Sequence, residues 1–315
     1  MDKSKIKVVF MGTSFFSKEI LKIFVENNYK ISLVITTPDK EAGRKKIKTP
    51  SLAKKFAGEN KIAVASIEKF DEKTIAFVKD FSPDLVVVAS FGIIIPKEII
   101  DLPRFGCINF HPSLLPQLRG PSPIQTALLE NRKKSGLTLM KMDEMIDHGE
   151  IICQKTISVD QNDDYFSLEK KMIILAEDMI AKNLPGYLDG KSVLIPQNHQ
   201  KATFTKIIKK ENGKIDWSKN AEKIYAQYRA FKNWPGIFCF WEEKSKKISF
   251  TKISVEKSAT KQKAGKVFKD EKKRICVQTI KGKVILKEIQ MEGKNEMKIE
   301  NFINGYADFI GANLK

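Results

Sequence analysis

Apolar positions in the first two-thirds of the chain fall into short, β-branched runs separated by stretches of helical spacing. Lys7-Val8-Val9-Phe10-Met11 ends at Gly12 and is followed by Ile20, Leu21, Ile23 and Phe24, the spacing of one helix face. Residues 31–36 form the next run, closed by Thr37-Pro38-Asp39. Leu85-Val86-Val87-Val88-Ala89 is apolar throughout, as strands buried on both faces of a parallel sheet are. Cys107-Ile108-Asn109-Phe110 and residues 137–142 predict two more strands. This alternation predicts an α/β, doubly wound, Rossmann-like domain.

After Pro185-Gly186 the texture changes. One amphipathic helix is legible from Ala221 to about Phe231, with Ile224, Tyr225, Tyr228 and Phe231 on one face. Beyond Trp234-Pro235-Gly236 only short alternating runs remain, joined by lysine-rich turns, and these predict a small OB-like β-barrel. The expected organisation is one domain over 1–190, a linker over 191–206 and a second domain over 207–315.

Composition narrows the class. Hydrophobic residues make up 42% and charged residues 30%, enough for packed cores, and no apolar run reaches the length of a membrane helix. The segment Met1-Asp2-Lys3-Ser4-Lys5 has no apolar signal region, so a cytoplasmic protein is expected. Cys107, Cys153, Cys239 and Cys276 are scattered and the chain has three histidines. That pattern points to buried thiols and argues against a metal centre.

The net charge of +18 is unevenly spread. Residues 1–200 hold 29 Lys+Arg against 25 Asp+Glu, net +4, while residues 201–315 hold 27 against 13, net +14. A general lysine bias would spread evenly, so the lopsided excess suggests a polyanionic partner, nucleic acid first, for the second domain.

Four places carry candidate chemistry. Gly12-Thr13-Ser14-Phe15 sits where a dinucleotide fingerprint would lie but lacks its further glycines, which argues against a nicotinamide oxidoreductase. Asn109-Phe110-His111-Pro112 ends a strand, and residues i and i+2 share a side, so Asn109 and His111 present two polar groups toward one point. Two converging donors suit a developing oxyanion, although a capped strand end gives the same pattern. Asp143-Glu144-Met145-Ile146-Asp147-His148-Gly149 lies far enough on for a crossover helix and a return strand to bring Asp147 beside His111. A solvated acidic turn is the plainer alternative. Residues 39–48 gather five cations around Gly43, either a phosphate-seeking loop or a solubilising one.

These segments resemble the methionyl-tRNA formyltransferases, a branch of the 10-formyltetrahydrofolate-dependent formyltransferase family, over nearly the whole chain. Asn109-Phe110-His111-Pro112-Ser113-Leu114-Leu115-Pro116 and Asp147-x-Gly149 match the wider family. Pro38-Asp39…Ala42-Gly43-Arg44, Gly213-Lys214-Ile215-Asp216-Trp217, Arg229-Ala230-Phe231…Trp234-Pro235-Gly236 and Gly293-Lys294…Met297…Phe302-Ile303-Asn304-Gly305 match the tRNA-directed branch. The resemblance implies Asn109, His111 and Asp147 as the catalytic trio. It implies Ser113, Leu114, Leu115 and Pro116, with Phe91, Gly92, Ile93 and Ile94, as the folate-contacting segments. It also implies Arg44, Lys45, Lys46 and Lys48 as contacts to tRNA, and the second domain as a tRNA-binding OB-fold. Formyl transfer from 10-formyltetrahydrofolate to initiator methionyl-tRNA, by a monomer without a metal, is what it leads one to expect.

This chain departs from the family pattern at Ser14, Phe91, Gln117-Leu118 and Lys232-Asn233, and none of these is in the trio. A sugar-nucleotide formyltransferase would keep the trio but has no need of the basic C-terminal domain. A non-catalytic RNA-binding protein would explain the charge but not the trio.

Overall fold

The computed structural model describes residues 2–42, 47–257 and 262–315. In chain order the first elements are β1 (Lys7–Gly12), α1 (Phe15–Glu26), β2 (Lys30–Thr36), β3 (Lys40–Ala42), β4 (Ile47–Thr49), α2 (Leu52–Glu59) and β5 (Val64–Ser66). They are followed by α3 (Glu72–Asp80), β6 (Leu85–Ala89), α4 (Lys97–Ile100), β7 (Cys107–His111), α5 (Pro123–Leu129), β8 (Lys134–Lys141), β9 (Ile151–Ser158), α6 (Tyr165–Lys182) and α7 (Leu184–Leu188). Then come α8 (Ala221–Ala230), β10 (Phe238–Trp241), β11 (Lys246–Glu256), β12 (Val267–Lys269), β13 (Ile275–Gln278), β14 (Lys283–Met291), β15 (Met297–Lys298) and α9 (Ile299–Gly305).

The chain divides into two compact units. The first holds a seven-stranded sheet in the order β5-β2-β1-β6-β7-β8-β9. Its first five strands are parallel, and β6 is buried along its whole length, as its unbroken Leu-Val-Val-Val-Ala run requires. Gly12 closes β1 where a Cβ would stand 2.6 Å from the Ser17 Cβ and 2.7 Å from the Ala89 carbonyl oxygen. Ser14 then caps α1 in a reciprocal pair with Ser17. That turn is built by packing and capping, and the missing glycines of a dinucleotide fingerprint are explained by it.

One expectation needs correction. A parallel crossover was to carry the chain from His111 to Asp147, but β7 and β8 are antiparallel, with Asn109 opposite Met140 and His111 opposite Thr138. β8 and β9 are antiparallel as well. Hydrophobic period alone does not encode strand direction. Asp147 therefore arrives on the turn between β8 and β9. Residues 191–206 were expected to be a linker. They lie in the first unit, where Ile195 bridges Ile151 and residues 203–205 hydrogen-bond to residues 116–122.

The second unit comprises residues 207–315 together with residues 124–133 and 159–168. Asn220 caps α8, which buries Ile224, Tyr228, Ala230 and Arg229. Arg229 donates through Nη1 to the Asp163 carbonyl (2.9 Å) and through Nη2 to Asn131 Oδ1 (2.6 Å), which pairs two of the three nitrogens of a cation taken out of water. The antiparallel sheet runs β10-β11-β14-β13-β12, with β15 on β14. Residues 311–315 pair with both of its edge strands: the Val267 and Leu314 amides donate to the Ala312 and Gly265 carbonyls (both 2.9 Å), and Phe240 and Lys315 exchange bonds of 2.7 and 3.0 Å. Edge groups that would otherwise face solvent are thereby satisfied. No helix among the described residues is long and apolar enough to cross a membrane.

Candidate active site

Asn109 and His111 lie on β7, two residues apart, with Phe110 between them fully buried. Both polar side chains meet one oxygen. Asp147 Oδ1 is 3.3 Å from Asn109 Nδ2 and 3.4 Å from His111 Nδ1. The other carboxylate oxygen accepts the Gly120 amide at 2.7 Å. His111 Nε2 stands 2.9 Å from the Leu118 carbonyl, which can only accept, so Nε2 carries a proton and Nδ1 is the nitrogen turned to Asp147. His111 is 4% exposed. Asp147 itself holds a left-handed backbone, φ +48°. Aspartate is among the few residues that tolerate this conformation.

The turn carrying Asp147 ends at Gly149, where an added Cβ would overlap the Lys141 carbonyl oxygen. Gly149→Ala is expected to destabilise the protein by about 1–3 kcal/mol or more through overpacking. The measurement is the urea midpoint, and an unchanged value would show that the turn has room to spare.

The segments implied to touch folate are arranged unequally. Phe91 is turned inward, against Phe70 at 6.3 Å, and Ser113 and Leu115 are buried. Ser113 Oγ donates to the Gln117 carbonyl, while Thr138 Oγ1 donates to the Ser113 carbonyl and accepts the Leu115 amide. Gly92, at φ +77°, has open space beside its Cα, and Ile94 is 89% exposed. Met145 and Ile146, just ahead of Asp147, are exposed too. Ile94, Met145 and Ile146 are thus large apolar side chains held in solvent. A cavity of about 330 Å³ opens beside the same turn, lined by Lys97, Ile100, Met142, Asp143, His148 and Gln197 among others, but Asn109, His111 and Asp147 do not line it.

Arg44, Lys45 and Lys46 lie outside the described residues. Lys48 is exposed on β4, opposite Glu41 of β3. Sequence reasoning met Leu118 only as part of a departure from the family pattern and gave Arg119, Gly120, Thr203 and Gln197 no role in the site. Arg119 was legible as a cation one turn beyond Pro116, whereas the polar stretch around Gln197 has no period to read. The four cysteines are unpaired, and burial pushes their thiols up, that of Cys153 to about 11. Among the described residues no three His, Cys, Asp or Glu side chains are grouped to hold a metal ion.

Two family models match the chain, that of the formyl transferases over residues 4–184 and that of the formyl transferase C-terminal domain over residues 207–307. A methionyl-tRNA formyltransferase from Caldicellulosiruptor saccharolyticus is 38% identical over 302 residues, covering 95% of this chain and 96% of its own. Among solved structures, WlaRD, a sugar 3N-formyl transferase in the presence of dTDP and 5-N-formyl-THF, is similar at a TM-score of 0.63 and 23% identity, covering 92% of this chain and 99% of its own. Methionyl-tRNA formyltransferase from Clostridium thermocellum is similar at 0.54 and 23%, covering 80% and 94%. Two domain models in sequence and a full-length relative at this identity place the chain in the methionyl-tRNA formyltransferase family.

Proposed function

We propose that this protein moves the formyl group of 10-formyltetrahydrofolate onto the α-amino group of methionine carried by initiator tRNA, acting in the cytoplasm as a monomer. The observation that carries the reading is the convergence of Asn109 Nδ2 and His111 Nδ1 on one carboxylate oxygen. Both contacts are long, and such contacts tighten or exchange when substrate arrives.

In the proposed reaction the amine nitrogen bonds to the formyl carbon and the bond from that carbon to N10 of the folate breaks. Asn109 Nδ2 and a protonated His111 Nδ1 donate to the formyl oxygen as charge develops there, each worth roughly 10²–10³ in rate. Asp147 takes the proton that the amine loses, and the same proton is returned to the departing nitrogen. The Gly120 amide holds the carboxylate in place for both transfers. The exposed Ile94, Met145 and Ile146 would cover the flat faces of the donor, with Phe91, Gly92, Ile93, Ser113, Leu114, Leu115 and Pro116 forming the wall. Arg44, Lys45, Lys46 and Lys48 would meet the tRNA, and the basic residues of 207–315 would hold its backbone.

The test supplies formyl-labelled 10-formyltetrahydrofolate with methionyl-tRNA, with amino-sugar nucleotides, or with neither. Label is expected on the methionyl-tRNA. Label on the sugar nucleotide, or none on the tRNA, would overturn the reading.

A further inference from the structure

Asp147 must keep its carboxylate aimed at Asn109 and His111 from a left-handed residue on a turn. Two carbonyls of that turn are held by a single side chain. Gln197 Nε2 donates to the Asp147 carbonyl at 3.0 Å and to the Gly149 carbonyl at 2.7 Å. Both amide hydrogens of Gln197 are thus used to fix the carbonyls on either side of His148. Its Oε1 accepts from Arg119 Nε at 3.2 Å and Nη2 at 2.7 Å. A guanidinium only donates and a carbonyl only accepts, so the amide can face one way alone. Arg119 and Gln197 are 3% and 6% exposed.

Arg119 also lies between two residues that touch the trio directly. The carbonyl of Leu118 meets His111 Nε2, and the amide of Gly120 meets Asp147 Oδ2. The backbone of Arg119 is itself fixed, its amide donating to the Thr203 carbonyl (2.9 Å) and its carbonyl accepting the Thr205 amide (2.8 Å). The segment 197–205 therefore supports the trio at two points, through the side chain of Gln197 and through the backbone of Thr203 and Thr205.

We propose that Gln197, oriented by Arg119, is a positioning residue that fixes the Asp147 turn and so aims its carboxylate at Asn109 and His111. This rests on the reading of Asp147 as the proton carrier. Gln197 touches no reacting atom. It sets where the carboxylate stands, and a misplacement of about 1 Å in a reacting group is enough to lose on the order of 10² in rate.

The test is a double-mutant cycle on the full-length protein with methionyl-tRNA and 10-formyltetrahydrofolate. Gln197→Glu keeps the acceptor for Arg119 and removes both hydrogens that hold the turn. Its kcat is expected to fall about 10- to 100-fold, with KM for either substrate changed less than about twofold. In an Asp147→Asn background the same substitution should cost nothing further, because there is no longer a carboxylate to aim. Gln197→Met, which fills the same space without hydrogen bonds, repeats the cycle should the glutamate variant fail to fold. Wild-type kcat in the Gln197 variants, or losses that multiply with that of Asp147→Asn, would overturn the positioning role. Wild-type kcat in Asp147→Asn alone would instead overturn the reading on which it rests.

Discussion

Asp147→Asn is expected to reduce kcat by about 10²–10⁴, the range of a positioned proton carrier, while tRNA affinity stays within a few-fold of wild type. The substitution is conservative in every respect but one. Asparagine keeps the size of the side chain and tolerates the left-handed φ of +48°. The Gly120 amide still finds an oxygen to meet. The other arm becomes an NH2 group, or must turn toward Gly120 and lose that bond. In neither orientation can it accept a proton from an attacking amine. His111 would also lose the charge facing its Nδ1, its other nitrogen being committed to the Leu118 carbonyl. Single-turnover kinetics with saturating methionyl-tRNA separate this step from binding. A kcat equal to wild type would remove Asp147 from the chemistry.

The second large effect concerns salt. Residues 201–315 carry 27 Lys+Arg against 13 Asp+Glu. If six to ten phosphates are neutralised on binding, affinity for tRNA falls by roughly 10³–10⁵ between 50 and 200 mM salt. The loss arises because counterions released on association are harder to release into a concentrated solution. Exposed lysines such as Lys272, Lys273 and Lys281 can be reversed without disturbing the sheet. Lys→Glu at all three is expected to flatten the slope of log affinity against log salt by about two to three units. A slope near zero in the unaltered protein, or one indifferent to these changes, would assign the charge to solubility.

The parts legible in the sequence were those with a period or a strong local rule. Asn109 and His111 share a side because strand side chains alternate, and that followed from their spacing alone. The unbroken apolar run of β6 announced a central strand. Direction was not legible: β8 follows a helix just as a parallel strand would, and its antiparallel pairing appears only in the register of Asn109 with Met140. β9 alternates in burial, yet its polar positions Gln154 and Lys155 hid it among neighbours of similar texture. Gln197 was the hardest to see. A polar residue in an irregular stretch looks like a linker until its partners, Arg119 and two carbonyls of a distant turn, are brought to it by the fold.

The pairing of residues 311–315 with both β10 and β12 bears on how the chain is made. The ribosome delivers these residues after every strand they join. Until then the sheet of the second unit has two unpaired edges, and open edges recruit strands from other molecules. The same unit also draws on residues 124–133 and 159–168, so some of its parts are made well before the strands they join. Exposure to edge-to-edge aggregation is thus concentrated in nascent chains, and ends when the closing residues take their place.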